Sequence, residues 1–264
     1  DRGLVALIVP GVGWDCFSNW LNAKGSATTN IRQFGYDMHA LKVDALSSST
    51  NNARQIRDGI MSMEHTDQEP NIVLIGYSKG APDILEAIVS YPEIRGHIAA
   101  VVSVAGSVGG SPLANDATQS DINMLRHWPD AQCSEGDGGA IESLRPATRK
   151  AWLANNPLPE EIPYYSLVTY PKPERISSIL ESSYDDLSQI DSRNDSQLLF
   201  YDQIIPGSAL IGYLNADHWA VVVPVARTHS TIGSMFVDQN NYPREALLEA
   251  VMRFIEEELS SATK

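Results

Sequence analysis

Residues 71–77 read Asn-Ile-Val-Leu-Ile-Gly-Tyr and run without a break into Ser78-Lys79-Gly80 and a helical stretch that reaches Val89. A run this short, branched and apolar on both faces must be covered from both sides, which makes it an inner strand of a parallel sheet. The same signature recurs at residues 4–9 and 98–104, resumes at 164–169 and 209–214, and is weaker at 38–43. Residues 51–63 add a further helical stretch. Strands alternating with helices predict an α/β fold with a mostly parallel central sheet flanked by helices. Near the C-terminus, Leu247, Leu248, Val251, Phe254 and Ile255 share one helical face with Pro243 at the start, so this helix is expected to pack on the sheet.

Between Gly106 and about Pro159 the pattern breaks. The stretch is rich in Gly, Ser, Asp and Asn, yet it also carries Met124, Leu125, Trp128, Trp152 and Leu153. A structureless loop of that length is unusual inside a compact domain. Residues 107–160 therefore read as an inserted cap or lid with some helix of its own, whose large apolar side chains suit either a core or a substrate-binding role. Residues 174–191 form a second, smaller excursion. With no internal repeat and no linker, residues 1–264 read as a single domain carrying this insertion.

Composition removes several classes of partner. Nineteen Lys and Arg against 33 Asp and Glu leave a net charge of -14, which opposes nucleic-acid binding and electrostatic docking on an anionic membrane. No apolar run approaches the roughly 18 residues of a transmembrane span. Cys16 and Cys133 make one disulfide or two thiols, and no framework. The chain starts at Asp1 rather than Met, which is compatible with a removed leader, and compartment stays open.

Gly76-Tyr77-Ser78-Lys79-Gly80 matches the G-x-S-x-G nucleophile elbow, and its place between a buried strand and a helix is the context that motif requires. A turn this sharp lifts the serine above the sheet, and glycines flank it because side chains there would strike neighbouring backbone. The following helix aims its N-terminal amides at the reacting centre. After the first strand comes Pro10-Gly11-Val12-Gly13. In such a fold this loop supplies one amide of an oxyanion hole and the residue after the nucleophile the other, which nominates the backbone N–H groups of Val12 and Lys79. The rival dinucleotide reading of Gly11-Val12-Gly13 fails because the third glycine of G-x-G-x-x-G falls on Cys16.

Of six histidines, His218 alone lies just beyond a late strand, in Asn215-Ala-Asp-His-Trp219, where the order Ser, acid, His places the base. The acid must lie between Ser78 and His218. Asp195 is preferred, Glu174 is its main rival, Asp191 and Asp202 are weaker, and Asp217 adjoins the histidine too closely to hold its far side. No repeated His or acidic spacing and no C-x-x-C support a metal or redox site.

On these residues the chain resembles the α/β-hydrolase superfamily, and within it the bacterial lipases and esterases. Pro10-Gly11-Val12-Gly13 is similar to the lipase oxyanion loop, with Pro10 where many lipases carry histidine. Residues 103–112 resemble the segment after the strand that follows the elbow helix. Asn194-Asp195, an apolar stretch, Pro206-Gly207 and Asp217-His218 resemble the acid and histidine segments, which favours Asp195 over Glu174. Lys79 departs from the usual small, apolar or Gln residue, and pairing with an acidic residue of the lid is one expectation for it. The resemblance implies carboxylic ester hydrolysis through an acyl-enzyme, without a cofactor, on a small-molecule ester with an apolar acyl part. In that scheme Ser78 attacks, His218 moves the proton, Asp195 orients His218, and the Val12 and Lys79 amides hold the oxyanion. The same residues also suit an acyltransferase, a peptidase or a non-catalytic binding protein, since fold alone does not name an activity.

Overall fold

The computed structural model describes residues 3–14, 27–64, 70–118, 120–121, 134, 136–222 and 242–262. Six strands, β1 (Val5–Val9), β2 (Asp37–Ala40), β3 (Ile72–Tyr77), β4 (Ile98–Val104), β5 (Tyr164–Thr169) and β6 (Ala209–Leu214), form one sheet in the order β2-β1-β3-β4-β5-β6. Every neighbouring pair is parallel. The chain leaves β1 toward β2 on one side and returns to β3 on the other. This reversal opens a crevice beyond the C-terminal ends of β1 and β3, where ligands of open α/β sheets bind. Val9 pairs with Gly76, so the loop after β1 and the turn after β3 emerge side by side.

Alternation along the inner strands divides the core. Val73, Ile75 and Tyr77 of β3 join Ala100 and Val102 of β4 on one face, under Val251, Met252 and Ile255 of the C-terminal helix. Ile72, Leu74 and Val101 face the other way, against Ala53, Ile56 and Ile60 and against Ile84, Leu85 and Ile88. The first of those opposing sets lies on α2 (Ser49–Met61) and the second on α3 (Gly80–Ser90). Ser48 caps α2 by accepting from the Asn51 amide at 3.1 Å, which starts the helix before the expected residue 51. β2 ends at Ala40, short of the expected residue 43. Val43 is buried as a loop residue in the second core cluster, so its apolar signal reports burial without pairing. A short helix, α1 (Ala27–Gln33), precedes β2.

Across residues 107–160 the described residues hold a 3-10 turn at Pro112–Asn115 and two helices, α4 (Ala140–Leu144) and α5 (Pro146–Asn155). They are tied to the loop before α2: Ala140 N–H donates to Leu46 O at 3.2 Å, and Asp137 accepts from the Ser48 hydroxyl. Arg149 is buried, donates Nε to Val108 O at 3.1 Å and lies over the Trp152 ring. Burial lowers its guanidinium to about 10, so it stays charged at neutral pH. Trp152 and Leu153 pack on the second core cluster. Met124, Leu125, Trp128 and both cysteines lie outside the described residues. The 174–191 excursion holds two 3-10 turns, Pro173–Arg175 and Ser178–Leu180, and α6 (Glu181–Ser188). The C-terminal helix, α7, spans Arg244–Ala262. Among the described residues, no helix is long and apolar enough to cross a membrane.

Candidate active site

The turn after β3 is held by contacts that leave little choice of residue. A Cβ on Gly80 would stand 2.0 Å from Val9 O, and one on Gly76 would stand 2.6 Å from the Ala81 backbone. Ser78 has φ 54, a left-handed conformation that non-glycine residues reach only at a cost of about 1–2 kcal/mol. Its surroundings hold it there. Its N–H donates to Val104 O at 3.3 Å, and its carbonyl accepts from Ser107 N at 2.9 Å and Ala81 N at 3.1 Å. The β1 loop closes over the same point: a Cβ on Gly11 would lie 2.8 Å from Ser78 Cβ.

His218 reaches this serine from the loop after β6. Its Nε2 is 2.9 Å from Ser78 Oγ and its Nδ1 is 2.8 Å from Asp195 Oδ2. An ionised carboxylate can only accept, so Nδ1 carries the proton and Nε2 is left to accept from the serine hydroxyl. The ring is positioned from several sides. His218 N–H donates to Asp195 O at 2.9 Å, and the Tyr77 hydroxyl donates to His218 O at 2.6 Å while its ring stacks on the imidazole. Burial, with Asp195 and Asp217 nearby, pushes the Tyr77 phenol well above its usual range, which keeps it a donor. The carboxylate of Asp217 bonds elsewhere than the imidazole. It accepts from Ser177 N and Oγ and from the amides of Trp219 and Ala220, and so fixes the histidine loop.

Asp195 is fully buried, and both carboxylate oxygens are occupied. Oδ1 accepts from the amides of Gln197 at 3.0 Å and Leu198 at 2.8 Å, while Oδ2 accepts from Thr169 Oγ1 as well as His218. The chain bends to offer those amides because Ser196 adopts φ 82, steadied by its N–H on Asn194 Oδ1. The amides of Val12 and Lys79 donate to no protein acceptor among the described residues, and Lys79 sits at the N-cap of α3 with helical φ and ψ. Among the described residues, no group of three or more His, Cys, Asp or Glu is arranged to hold a metal ion.

The solved structure of the metagenomic carboxyl esterase MGS0156 superposes on the chain with a TM-score of 0.88 at 37% identity, covering 97% of this chain and 76% of that one. The chain belongs to the α/β-hydrolase superfamily, among its esterases. Two further structures share the fold of this α/β-hydrolase. Staphylococcus hyicus lipase has a TM-score of 0.66 at 14% identity over 98% of this chain and 97% of its own. Mature Bacillus licheniformis lipase BlEst2 has 0.63 at 16% over 89% and 92%. No protein-family model and no curated protein matches the sequence.

Within the hydrolase site, the structure brings Ser78, His218 and Asp195 into one hydrogen-bonded chain and leaves the rival acids elsewhere. Glu174 is exposed in its 3-10 turn, and Asp191 holds Arg193 in a two-pronged pair. Asp202 is buried beside Gly109. Among the described residues, Lys79 forms no close ion pair with an acidic residue of 107–160, where Asp137 feels only its longer-range charge. Lys79 Nζ lies 2.8 and 3.0 Å from the two oxygens of Asp83, one turn along its own helix, which also accept from Ser49 Oγ and Asn52 Nδ2. The supporting residues Tyr77, Thr169 and Gln203 carry no local sequence signal for this role. Tyr77 occupies a free position of the elbow motif; Thr169 meets Asp195, and Gln203 meets Thr169, only through the fold.

Proposed function

We propose that the protein hydrolyses carboxylic esters through an acyl-enzyme formed on Ser78. The observation that carries this reading is the unbroken chain from Asp195 through His218 to Ser78 at the C-terminal end of β3, at 2.8 and 2.9 Å. His218 Nε2 takes the hydroxyl proton as Ser78 Oγ attacks the carbonyl carbon, and Asp195 holds the tautomer and stabilises the imidazolium. The amides of Val12 and Lys79 hold the developing oxyanion. They are free to do so, since neither donates to a described protein acceptor. His218 then returns the proton to the leaving alcohol, and water repeats the sequence to release the acid. No cofactor enters these steps.

Kinship with a carboxyl esterase at 37% identity favours esters over amides as the substrate class. The substrate is a small-molecule ester whose apolar acyl part lies between the crevice and the 107–160 insertion, within a single domain. A series of p-nitrophenyl esters from two to twelve carbons tests this reading, with the matching anilides and an added alcohol acceptor as comparisons. Ester turnover that vanishes in Ser78→Ala supports it. Faster anilide cleavage, or transfer to alcohol outrunning hydrolysis, would assign the same residues to a peptidase or an acyltransferase, and full turnover in Ser78→Ala would remove the mechanism.

A further inference from the structure

Resting on the Ser78, His218 and Asp195 reading, we infer that Thr169 and Gln203 are positioning residues that set the strength of Asp195 as partner of His218. Thr169 closes β5, and both side chains are wholly buried. Thr169 Oγ1 lies 2.5 Å from Asp195 Oδ2 and 3.0 Å from Gln203 Oε1. A hydroxyl has one proton, and the shorter contact to the ionised acceptor takes it.

Gln203 holds Thr169 in place. Its Oε1 accepts from Thr169 N at 2.8 Å and its Nε2 donates to Thr169 O at 2.9 Å, so one side-chain amide spans both backbone groups of the strand's last residue. Only one orientation of the amide satisfies both bonds. The hydroxyl is thereby aimed at the same carboxylate oxygen that receives His218 Nδ1–H.

Sharing Oδ2 between two donors drains charge from it and weakens its hold on the imidazolium. Removing the hydroxyl leaves that oxygen to His218 alone, so the imidazolium gains stability and the base becomes neutral only at higher pH. The other titratable or charged groups around His218 and Asp195 remain as they were: Tyr77 on β3, Asp217 in the histidine loop and Arg244 at the start of α7. A residue serving only the fold would not move the titration of the base.

The test compares kcat and KM for p-nitrophenyl butyrate between pH 5 and 9 in the full chain, Thr169→Val, Thr169→Ser and Ser78→Ala. In Thr169→Val the acid limb of kcat/KM is expected to rise by about half to one pH unit, with KM within about twofold. Thr169→Ser, which keeps the hydroxyl, is expected to restore the limb. If Thr169→Val does not fold, Thr169→Ala carries the same expected shift. An unmoved acid limb, or the same shift in Thr169→Ser, would overturn the inference while an inactive Ser78→Ala left the hydrolase reading standing. An active Ser78→Ala would instead remove that reading itself.

Discussion

Replacing Lys79 by methionine removes a charge from a site with almost no water in which to compensate. The side chains of Lys79 and Asp83 are each 1% exposed, with Nζ at 2.8 Å from Oδ1 and 3.0 Å from Oδ2. Methionine keeps most of the length of the lysine stem, so packing changes little and the electrostatic loss dominates. Asp83 retains Ser49 Oγ at 2.6 Å and Asn52 Nδ2 at 2.7 Å, two neutral donors that offset part of the loss. Removing one partner of a buried pair costs about 3–5 kcal/mol, and the two remaining donors place Lys79→Met at about 3 kcal/mol. Domains of this kind are stable by roughly 5–15 kcal/mol, so the midpoint of urea unfolding should fall visibly at unchanged slope. Adding Asp83→Asn removes the stranded charge but keeps an acceptor, and should recover about 1–2 kcal/mol of that loss. In the proposed mechanism Lys79 serves the oxyanion through its backbone amide, so the folded single variant should keep kcat within about tenfold. A loss below about 1 kcal/mol, or a double variant less stable than Lys79→Met, would refute the claim that the pair is desolvated and mutually dependent.

Two further outcomes follow from the same geometry. Asp195→Asn should lower kcat by about 10⁴-fold with little change in thermal midpoint, whereas Glu174→Gln should leave kcat within about twofold; the reverse pattern in steady-state kinetics would reassign the acid. Asp202 is pushed up from 3.8 to about 6 by burial, with Lys150 opposing, so its folded form prefers the proton. Its stabilising contribution is complete below about pH 4 and is lost as pH rises through about 6. Asp202→Asn should therefore gain about 1 kcal/mol over the parent at pH 8 after allowance for solvent screening, and nothing at pH 3.5. Equal urea midpoints at pH 8 would contradict it.

Much of the fold is legible because parallel strands buried on both faces need uninterrupted apolar runs. The ranges 98–104 and 164–169 coincide with β4 and β5, which are buried on both faces, and 209–214 coincides with β6, an edge strand whose apolar run persists although Leu210 and Tyr213 are exposed. The β2 edge is less legible. β2 follows a helix, α1, whose Ala-Thr-Thr-Asn start has few strong helix formers, and Ile31 is buried there against the same core cluster as α7. Ser78 and His218 stand out because their surroundings are local: a glycine-flanked turn, and a loop just after a strand. Asp195 is preferred over Glu174 in the sequence by resemblance to an acid segment, whereas its burial and its bond to His218 come from the fold. Thr169 and Gln203 lie 26 and 34 residues from their partners, so no local pattern marks them. The partner of Lys79 was within reach, since Asp83 stands four residues along the same helix.

The most direct measurement is labelling by a fluorophosphonate probe, with the modified peptide mapped by mass spectrometry in the parent, Ser78→Ala and His218→Ala. An activated serine at the end of β3 predicts stoichiometric modification at Ser78 alone, lost in Ser78→Ala and slowed by several orders of magnitude in His218→Ala. Modification at another serine, or labelling of Ser78 at full rate without His218, would contradict the assignment of nucleophile and base.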